Sequence, residues 1–473
     1  MDLKRTKIVA TLGPASSTEE VIKEMYDKGL NVCRLNFSHG DHSIHEENIK
    51  RIKAVNEELN ANIAILADLQ GPKLRVGVME NEGCEIKTGD KITFTNEECI
   101  GTSEKVYMTY QNFAQDVKPG ELILIDDGKL AVKVESTNGI DEVYAVVEHG
   151  GILKSKKGVN LPNTQISLPS LTDKDRADLD YILTQDVEWI ALSFVRCADD
   201  ITELRKLIKA AGKDIKIIAK IEKPEAIDDI DAIVKETDAI MVARGDLGIE
   251  VPYQDVPLLQ KMMVKKCLKA SKPIIVATQM MESMIDGITP SRAEVNDVAN
   301  AVMDGADAVM LSGETSVGVH PGLVIETMSN IIKKVEEYDD IYNHDYSPVF
   351  REERFVSDNI CTSAVNLAES VNAKAIVTMT VSGYTACKIS SQRPRAITFV
   401  YTSNKKILNM LNLVWGVQAY YYDNSHLVDE NIDDIEKRLK EKGFIKEGDY
   451  FINISSMPVK KRGKTNTLKL SLA

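Results

Sequence analysis

The stretch KIIAKIEKPEAIDDIDAIVKETDAIMVARGD (216–246) contains two short apolar runs, 216–222 and 239–246, with a helix-like polar segment between them. Near-continuous hydrophobicity over a strand's length is typical of parallel strands that are buried on both faces. Six further runs of this kind occur: KIVATLG (7–13), VCRLNFS (32–38), IAILADLQ (63–70), WIALSFV (189–195), PIIVATQM (273–280) and AVMLSGE (308–314). Eight strand–helix units in succession predict an α/β fold of the (β/α)₈ TIM-barrel type.

The strand–helix alternation is interrupted between Gln70 and about Leu171. Short alternating runs with Gly, Asp and Asn turns replace it: KITFT (91–95), ELILI (121–125), KLAVKVE (129–135) and EVYAVV (142–147). This pattern predicts a small all-β domain that is inserted after the third barrel strand. Such an insertion lies over the carboxyl ends of the barrel strands, where a lid would act.

A further domain follows a polar, irregular segment that begins near Asp340. Its apolar runs are AKAIVTMT (373–380), RAITFVYT (395–402), VQAYYY (417–422), DYFINIS (449–455) and TLKLSL (467–472). They predict a separate open α/β sheet. The expected division is 1–70 and 169–340 for the barrel, 71–168 for the β lid, and 341–473 for a C-terminal α/β domain.

Composition excludes several classes of protein. The 473 residues are 43% apolar and 27% charged, which is close to the average for globular proteins. The apolar runs are too short to span a bilayer, and no signal-peptide pattern is present. Seven scattered cysteines without a C-x-x-C pair indicate reduced thiols and a cytoplasmic protein, not a disulfide framework or a zinc site. A net charge of −14 argues against non-specific nucleic-acid binding.

Polar and charged residues follow most of the predicted barrel strands, where the carboxyl ends meet at one rim. They are Arg34, Asn36, Ser38, His39, Asp68, Lys73, Arg75, Lys220, Glu222, Arg244, Gly245, Asp246, Thr278, Ser312 and Glu314. Any one of them could simply begin a loop. So many charged groups at one barrel mouth need partners or ligands, because an unpaired buried charge is costly.

Glu222 and Asp246 end neighbouring strands and suit a cation that prefers oxygen ligands, such as Mg²⁺ or Mn²⁺. The alternative is a closed salt-bridge network with Lys220 and Arg244. Lys220 precedes Glu222 by two residues and faces the same way, so it could stabilise a transferring phosphoryl group beside the metal. Arg34, Arg75 and Lys220 together suit phosphate, although Arg75 alone could be a solvated loop residue.

The segment TVSGYTACKI (380–389) follows a predicted strand and opens a helix, which is a favourable place for a phosphate. Ser and Thr also serve as ordinary helix N-caps, so this signal is weak by itself. A basic cluster, 460–464, strengthens the phosphate interpretation, although it could be a solvated loop. The candidate phosphate-binding residues are Thr380, Ser382, Gly383, Tyr384, Thr385, Lys460 and Arg462.

Motifs along the whole chain resemble those of the pyruvate kinase family, in the family's order. They are TKIVATLGPAS (6–16), RLNFSHG (34–40), KGVNLP (157–162), IIAKIEKPEAIDD (217–229), ARGDLG (243–248), ATQMMESM (277–284) and SGETSVGVHP (312–321). The resemblance implies a barrel with a β lid and a C-terminal α/β domain. It also implies phosphoryl transfer from phosphoenolpyruvate to ADP, which gives pyruvate and ATP in the last step of glycolysis.

The resemblance assigns roles to matching positions. Glu222 and Asp246 would hold the divalent metal, and Lys220 and Arg34 would neutralise the transferring phosphoryl group. Ser312 would support protonation of the enolate. The residues lining the substrate would be Ala243, Arg244, Gly245, Asp246 and Thr278. Those facing the nucleotide phosphates would be Arg34, Asn36, His39, Arg75 and Lys157.

One departure concerns the monovalent cation that many family members bind beside Asn36, Ser38 and Asp68. In DLQGPK (68–73), Leu69 replaces a threonine ligand and Lys73 replaces a glutamate. The lysine ammonium could supply the missing positive charge, so we expect activity without potassium. The alternative is that Lys73 is a surface lysine at the lid hinge and that a cation still binds.

The C-terminal domain resembles the family's allosteric domain, which implies a phosphorylated effector: a sugar phosphate or AMP. A homotetramer is implied by the family alone. Two competing hypotheses are a metal-dependent lyase or aldolase and a non-catalytic phosphometabolite-binding protein. The β insertion and Lys157 argue against the first, and the second would have lost catalytic positions that this chain retains: Arg34, Lys220, Glu222, Asp246 and Thr278.

Overall fold

The computed structural model describes residues 3–343, 352–422, 428–457 and 464–473. The chain begins with three strand–helix steps of a barrel, and all five residues of both β1 and β3 are buried. Helix α1 begins after Thr18, whose side chain accepts a hydrogen bond from the Val21 amide, and it ends at Gly29 with a left-handed φ of 117°. The bounds are β1 (Lys7–Thr11), α1 (Glu19–Lys28), β2 (Val32–Asn36), α2 (His42–Leu59) and β3 (Ala64–Asp68).

An inserted β domain follows β3, with its own apolar core. Alternate residues of β8 are buried, as its sequence pattern predicts. One short helix, α3, lies among the strands. The bounds are β4 (Gly83–Ile86), β5 (Lys91–Thr95), β6 (Lys105–Tyr107), α3 (Phe113–Asp116), β7 (Leu122–Ile125), β8 (Leu130–Thr137), β9 (Glu142–His149), β10 (Gly151–Lys154) and β11 (Val159–Asn160). β4 pairs with β10, and the other strands form a sheet of order β11-β7-β8-β9-β5-β6.

The chain then returns to the barrel and completes it. The bounds are α4 (Asp173–Ile182), β12 (Trp189–Leu192), α5 (Ala198–Ala210), β13 (Lys216–Ile221), α6 (Pro224–Asp228), α7 (Ile230–Glu236), β14 (Ala239–Ala243), α8 (Arg244–Glu250), α9 (Val256–Ala270), β15 (Ile274–Ala277), α10 (Arg292–Asp304), β16 (Ala308–Leu311), α11 (Gly313–Ser316) and α12 (Pro321–Val335). Eight parallel strands close when β1 pairs with β16, from Lys7 opposite Ala308 onward. The predicted barrel is therefore confirmed.

The C-terminal domain is a five-stranded sheet of order β19-β18-β17-β20-β21, in which only β21 runs antiparallel. The bounds are α13 (Phe355–Ser370), β17 (Ala375–Met379), α14 (Tyr384–Ser390), β18 (Ile397–Thr402), α15 (Lys405–Met410), β19 (Val417–Tyr421), α16 (Val428–Glu441), β20 (Tyr450–Ser455) and β21 (Thr467–Leu472). This arrangement confirms the predicted fold class.

The C-terminal domain packs against the amino-terminal end of the barrel. Leu411 and Val414 share a buried cluster with Leu66 and Met310 of the barrel interior. The Lys7 ammonium donates to the Val417 carbonyl at 2.8 Å. The C-terminal domain therefore closes the barrel interior at this end, and the barrel mouth opens at the opposite end, beneath the β domain. Of the helices in the described parts of the chain, none is long and apolar enough to cross a membrane.

Candidate active site

Four charged residues from three strand ends form a connected cluster inside the barrel mouth. The Asp68 carboxylate bridges two cations: its Oδ2 lies 2.6 Å from Arg34 Nε and its Oδ1 lies 3.2 Å from Lys220 Nζ. Lys220 Nζ also lies 3.2 Å from Glu222 Oε1. Arg34 is 9% exposed, and Asp68 and Glu222 are each 1% exposed. The predicted convergence of Arg34, Lys220 and Glu222 is present in the structure.

The cluster sets the protonation of its members. Burial opposes the charge on Lys220, but the carboxylates of Asp68 and Glu222 outweigh it and raise the Lys220 pKa. Burial likewise opposes ionisation of Asp68, but Lys220 and Arg34 lower its pKa below the ordinary value. Two permanent cations therefore stand at the mouth, held by one ionised aspartate.

Glu222 and Asp246 are the two carboxylates that could hold a metal. Burial, aided by the nearby charge of Asp246, raises the Glu222 pKa despite the opposing effect of Lys220. Glu222 Oε2 accepts a hydrogen bond from the Phe194 amide at 2.7 Å. Asp246, in the first turn of α8, forms no hydrogen bond or ion pair through its side chain within the described ranges. A hard divalent cation would relieve this like-charge pair, so the donor set fits Mg²⁺ or Mn²⁺.

The alternative was a closed salt-bridge network of Glu222 and Asp246 with Lys220 and Arg244. It is present only in part, because Lys220 pairs with Glu222 but Arg244 pairs with a different carboxylate. Its guanidinium forms a bidentate salt bridge with the Asp297 carboxylate of α10, with N–O distances of 2.6 and 2.7 Å. It also donates to the carbonyls of Ala277, at 3.1 Å, and Thr278, at 2.7 Å. The Arg244 side chain thus braces the end of β15 against α8. No sequence pattern pointed to Asp297.

Thr278 has a strained backbone. Its φ is +69°, which a β-branched residue rarely adopts, and Gln279 follows at +53°. This conformation directs the Thr278 hydroxyl to the beginning of α8, where it accepts from the Gly245 amide at 2.7 Å. The same hydroxyl lies 2.6 Å from the Ala277 carbonyl, to which it donates. Thr278 and Gly245, both predicted to line the substrate, are therefore in direct contact.

Ser193 is a site residue that the sequence analysis missed. Lys220 donates to its hydroxyl oxygen at 2.6 Å, and the hydroxyl donates to the Leu69 carbonyl at 2.7 Å. It is 1% exposed and fixes the Lys220 ammonium from a third side. The signal was a serine near the end of WIALSFV (189–195), which is one of the two predicted barrel strands for which no polar end residue was considered.

Ser312 lies just beyond β16, as predicted, and its amide donates to Glu314 Oε2 at 2.7 Å. Glu314 is 3% exposed and also accepts from the Met281 amide at 3.2 Å. The carboxylate therefore joins the loops after β15 and β16. This contact fixes the backbone of Ser312.

The predicted nucleotide residues are only partly assembled. Asn36 accepts from the Ser38 amide at 3.1 Å. His39 is exposed, and partial desolvation together with the charges of Arg75 and Lys73 lowers its pKa. These cations therefore gather near His39, at the junction of barrel and lid.

Lys157 is held within the lid. Its ammonium pairs with Asp126 at 2.8 Å, so the structure does not bring Lys157 to the barrel cluster. The lid meets the barrel instead through Asn160, which donates to Glu250 at 2.8 Å. Glu250 also pairs with the buried Lys223 at 2.8 Å. Between lid and barrel is a narrow cleft of about 30 Å³, whose lining includes Asp246.

Among the described residues, the candidate monovalent-cation region (Asn36, Ser38, Asp68, Leu69 and Lys73) contains one carboxylate, Asp68, and it is already paired. Both oxygens of Asp68 already contact Arg34 and Lys220. The Leu69 side chain is 1% exposed. Lys73 is exposed and forms no ion pair with any residue that the structure describes.

In the C-terminal domain, the 380–385 turn is tightly built. The Gly383 amide donates to Thr380 Oγ1 at 3.1 Å, and Gly383 has a φ of +79°. The Thr385 hydroxyl lies 3.1 Å from that of Thr465. Ser382 accepts from the Tyr384 amide at 3.5 Å. The other two candidate effector residues, Lys460 and Arg462, lie outside the described residues.

Comparisons with known proteins agree with this architecture. The family model "Pyruvate kinase, barrel domain" matches residues 3–325, and "Pyruvate kinase, alpha/beta domain" matches residues 358–471. A pyruvate kinase of Clostridium perfringens is 41% identical over 477 residues, which cover 99% of each chain. One of Geobacillus stearothermophilus is 41% identical over 475 residues, 99% of this chain and 80% of the relative.

A solved structure is similar over nearly the same extent. The crystal structure of a pyruvate kinase from Cryptosporidium parvum superposes with a TM-score of 0.93 at 36% identity. The match covers 99% of this chain and 96% of that one. Both domains, their order and the full length agree, and this chain therefore belongs to the pyruvate kinase family.

Proposed function

We propose that this enzyme transfers the phosphoryl group of phosphoenolpyruvate to ADP, giving pyruvate and ATP, by means of the cluster at the barrel mouth. The observation that carries the proposal is the pair of cations, Arg34 and Lys220, fixed by Asp68 beside the carboxylates of Glu222 and Asp246. Catalysis of phosphoryl transfer is largely positioning and charge stabilisation, which such an arrangement can provide.

Glu222 and Asp246 would hold Mg²⁺ or Mn²⁺. When bound, the ion supplies positive charge to the substrate's carboxylate and to the oxygen from which the phosphoryl group departs. In the described ranges no group of three or more His, Cys, Asp and Glu side chains could hold a metal. Two protein carboxylates would leave the other coordination positions to substrate and water.

Lys220 and Arg34 would contact the phosphoryl oxygens during transfer. Both are buried and already oriented, by Asp68 and, for Lys220, by Ser193. Little reorganisation is then needed when negative charge moves from the attacking to the leaving oxygen. The amides at the beginning of α8, with the Thr278 hydroxyl, would receive the substrate carboxylate. Ser312 would belong to the polar network through which a proton reaches the enolate carbon.

Asn36, His39, Arg75 and Lys157 would contact the phosphates of ADP. His39 and Arg75 gather at the lid junction, which supports this role. Lys157 would have to exchange Asp126 for the nucleotide as the lid closes. Closure would also exclude water from the reacting groups.

The enzyme would work without potassium. The Leu69 side chain supplies no oxygen ligand, and Lys73, at the hinge beside the site, is a cation without an ion-pair partner in the described chain. Its ammonium would move toward the nucleotide phosphates when the lid closes. This movement would supply the positive charge that a monovalent cation supplies in family members that bind one.

The 380–385 turn, with the basic loop that includes Lys460 and Arg462, would bind a phosphorylated effector: a sugar phosphate or AMP. The amides of this turn and the hydroxyls of Thr380, Ser382 and Thr385 support a phosphate there. A homotetramer in the cytoplasm is the expected form of the active enzyme.

The decisive experiment measures pyruvate formation from phosphoenolpyruvate and ADP with Mg²⁺, in buffer whose only monovalent cation is organic. Turnover that changes little on adding potassium supports both the activity and the role of Lys73. Turnover only after potassium is added keeps the activity and discards potassium independence. If neither buffer supports turnover, even with sugar phosphates and AMP, the activity proposal is wrong.

A further inference from the structure

A second, larger cleft lies at the opposite end of the barrel from the active site. It has a volume of about 330 Å³ and is bounded by the loops before β12 and β13, by α2 and by α15 of the C-terminal domain. The walls come from the amino-terminal ends of the strands, so the cleft is separate from the phosphoryl-transfer cluster. Its size is adequate for a small metabolite.

The cleft carries a surplus of positive charge in a chain whose net charge is −14. Five lysines line it, against three carboxylates. Lys53 pairs with Asp186 and Lys216 with Asp214, both at 3.1 Å. The remaining lysines are Lys213, Lys405 and Lys406, and none has a carboxylate partner within 4 Å in the described part of the chain.

These lysines come from both domains, and Lys405 Nζ also lies 5.7 Å from the centre of the Tyr421 ring. Lys213 belongs to the barrel side, and Lys405 and Lys406 begin α15. Lys53 chiefly lowers the Asp186 pKa, and Lys213 and Lys406 contribute to the same shift. Charges from the two walls are therefore felt at one carboxylate. Several lysines around one cleft create a positive potential, which favours binding of an anion between them.

The floor of the cleft is Glu188, which joins the two domains. Its Oε2 accepts from the Ile65 amide on β3 at 2.8 Å, and its Oε1 accepts from the Asn409 amide group on α15 at 3.1 Å. Burial raises the pKa of Glu188 to about 7. Near neutral pH the floor therefore carries less than a full negative charge and repels an anion less than an ordinary glutamate would.

We infer that this interdomain cleft binds a small phosphorylated metabolite, with phosphate groups held between Lys213 on the barrel and Lys405 and Lys406 on the C-terminal domain. Lysine is a suitable point charge for phosphate, and its flexible stem tolerates ligands of different lengths. The site is additional to the proposed effector site at the 380–385 turn. A ligand here would bind both domains next to β3, whose last residue is Asp68.

The test uses inorganic pyrophosphate as the probe and the full-length enzyme without added metal. Lysines are acetylated by a pulse of an amine-reactive ester, and the rate at each lysine is read by mass spectrometry. At a probe concentration ten times the dissociation constant, the rates at Lys213, Lys405 and Lys406 should fall roughly tenfold. The rate at Lys437, an exposed lysine on α16, should stay constant.

Two variants locate the ligand. Lys406→Gln should abolish protection of Lys213 and leave basal turnover unchanged, because Lys406 is remote from the barrel mouth. Ser382→Ala, in the 380–385 turn, should leave the protection intact. The inference is overturned if the three cleft lysines are not protected, if Lys437 is protected equally, or if Ser382→Ala removes the protection.

Discussion

Replacing Lys220 with methionine tests the mechanism most sharply, because it keeps the side-chain stem and removes the charge. The ammonium contacts Asp68 and Glu222, each at 3.2 Å, and donates to Ser193 at 2.6 Å. In the proposed reaction it is one of two cations on the transferring phosphoryl group. Loss of such a preorganised contact costs roughly 10²-fold or more in turnover, or about 2.7 kcal/mol.

The same substitution also removes the partner of two buried carboxylates. Breaking a buried ion pair from one side costs on the order of 3–5 kcal/mol of stability, unless the carboxylates take up protons. Lower activity could then follow from unfolding alone. The structure offers a matched control in Lys223→Met, because Lys223 is 6% exposed and pairs with Glu250 at 2.8 Å. It follows Glu222 directly, after β13 has ended, and among the described residues its ammonium pairs with Glu250 and with no carboxylate of the Asp68 cluster.

Both variants are assayed for thermal unfolding by circular dichroism and for turnover by coupling pyruvate to its reduction. We expect similar losses of melting temperature, but the large loss of turnover only in Lys220→Met. Metal binding at Glu222 and Asp246, followed by Mn²⁺ titration, should survive. If Lys220→Met loses less than about tenfold in turnover, which is 1.4 kcal/mol, the assigned role is wrong. Equal losses of turnover in the two variants would show that stability, not charge, is responsible.

Three further predictions concern other parts of the chain. Thr278→Val should lower turnover by roughly 10²-fold, as expected for loss of a preorganised donor, whereas Thr278→Ser should stay close to the parent in the same assay. Leu69→Thr combined with Lys73→Glu should make turnover rise on adding potassium, and an unchanged rate would refute the charge-substitution argument. Glu188 has a pKa of about 7 in the folded protein, above the 4.5 of the free side chain, so the folded state binds more protons between these values and stability should fall as pH rises through this window. Thermal melts at about pH 5 and pH 8 should show a smaller pH dependence in Glu188→Gln, and an unchanged dependence would assign the titration to another group.

Much of the fold was predictable because parallel strands buried on both faces leave a plain mark in the sequence. β13 and β14 lie within the apolar runs 216–222 and 239–246. The same regularity located Lys220 and Glu222, since chemistry in a barrel collects at the carboxyl ends of strands. These inferences need only local sequence and one rule about the fold.

The remaining site residues depend on contacts between distant segments. Ser193 matters because Lys220 points at it, and Asp297 matters because Arg244 turns away from the mouth to pair with it. Neither partner choice is encoded in local spacing. The position of Lys157 depends on the lid, and its contact with Asp126 is a competing partner that a motif cannot reveal.

Asp68 connects the catalytic cluster with the region proposed to work without potassium. Its carboxylate is 1% exposed, yet Arg34 and Lys220 keep its pKa low. An acid already balanced by two cations has little capacity to attract a third, so a monovalent ion near Asp68 would need ligands from its neighbours. The Leu69 side chain cannot provide one, and Lys73 would repel the ion. The local charge balance thus favours a site completed by a lysine over one completed by potassium. Leu69→Thr would add the missing side-chain oxygen, and Lys73→Glu would replace the repelling charge with an attracting one.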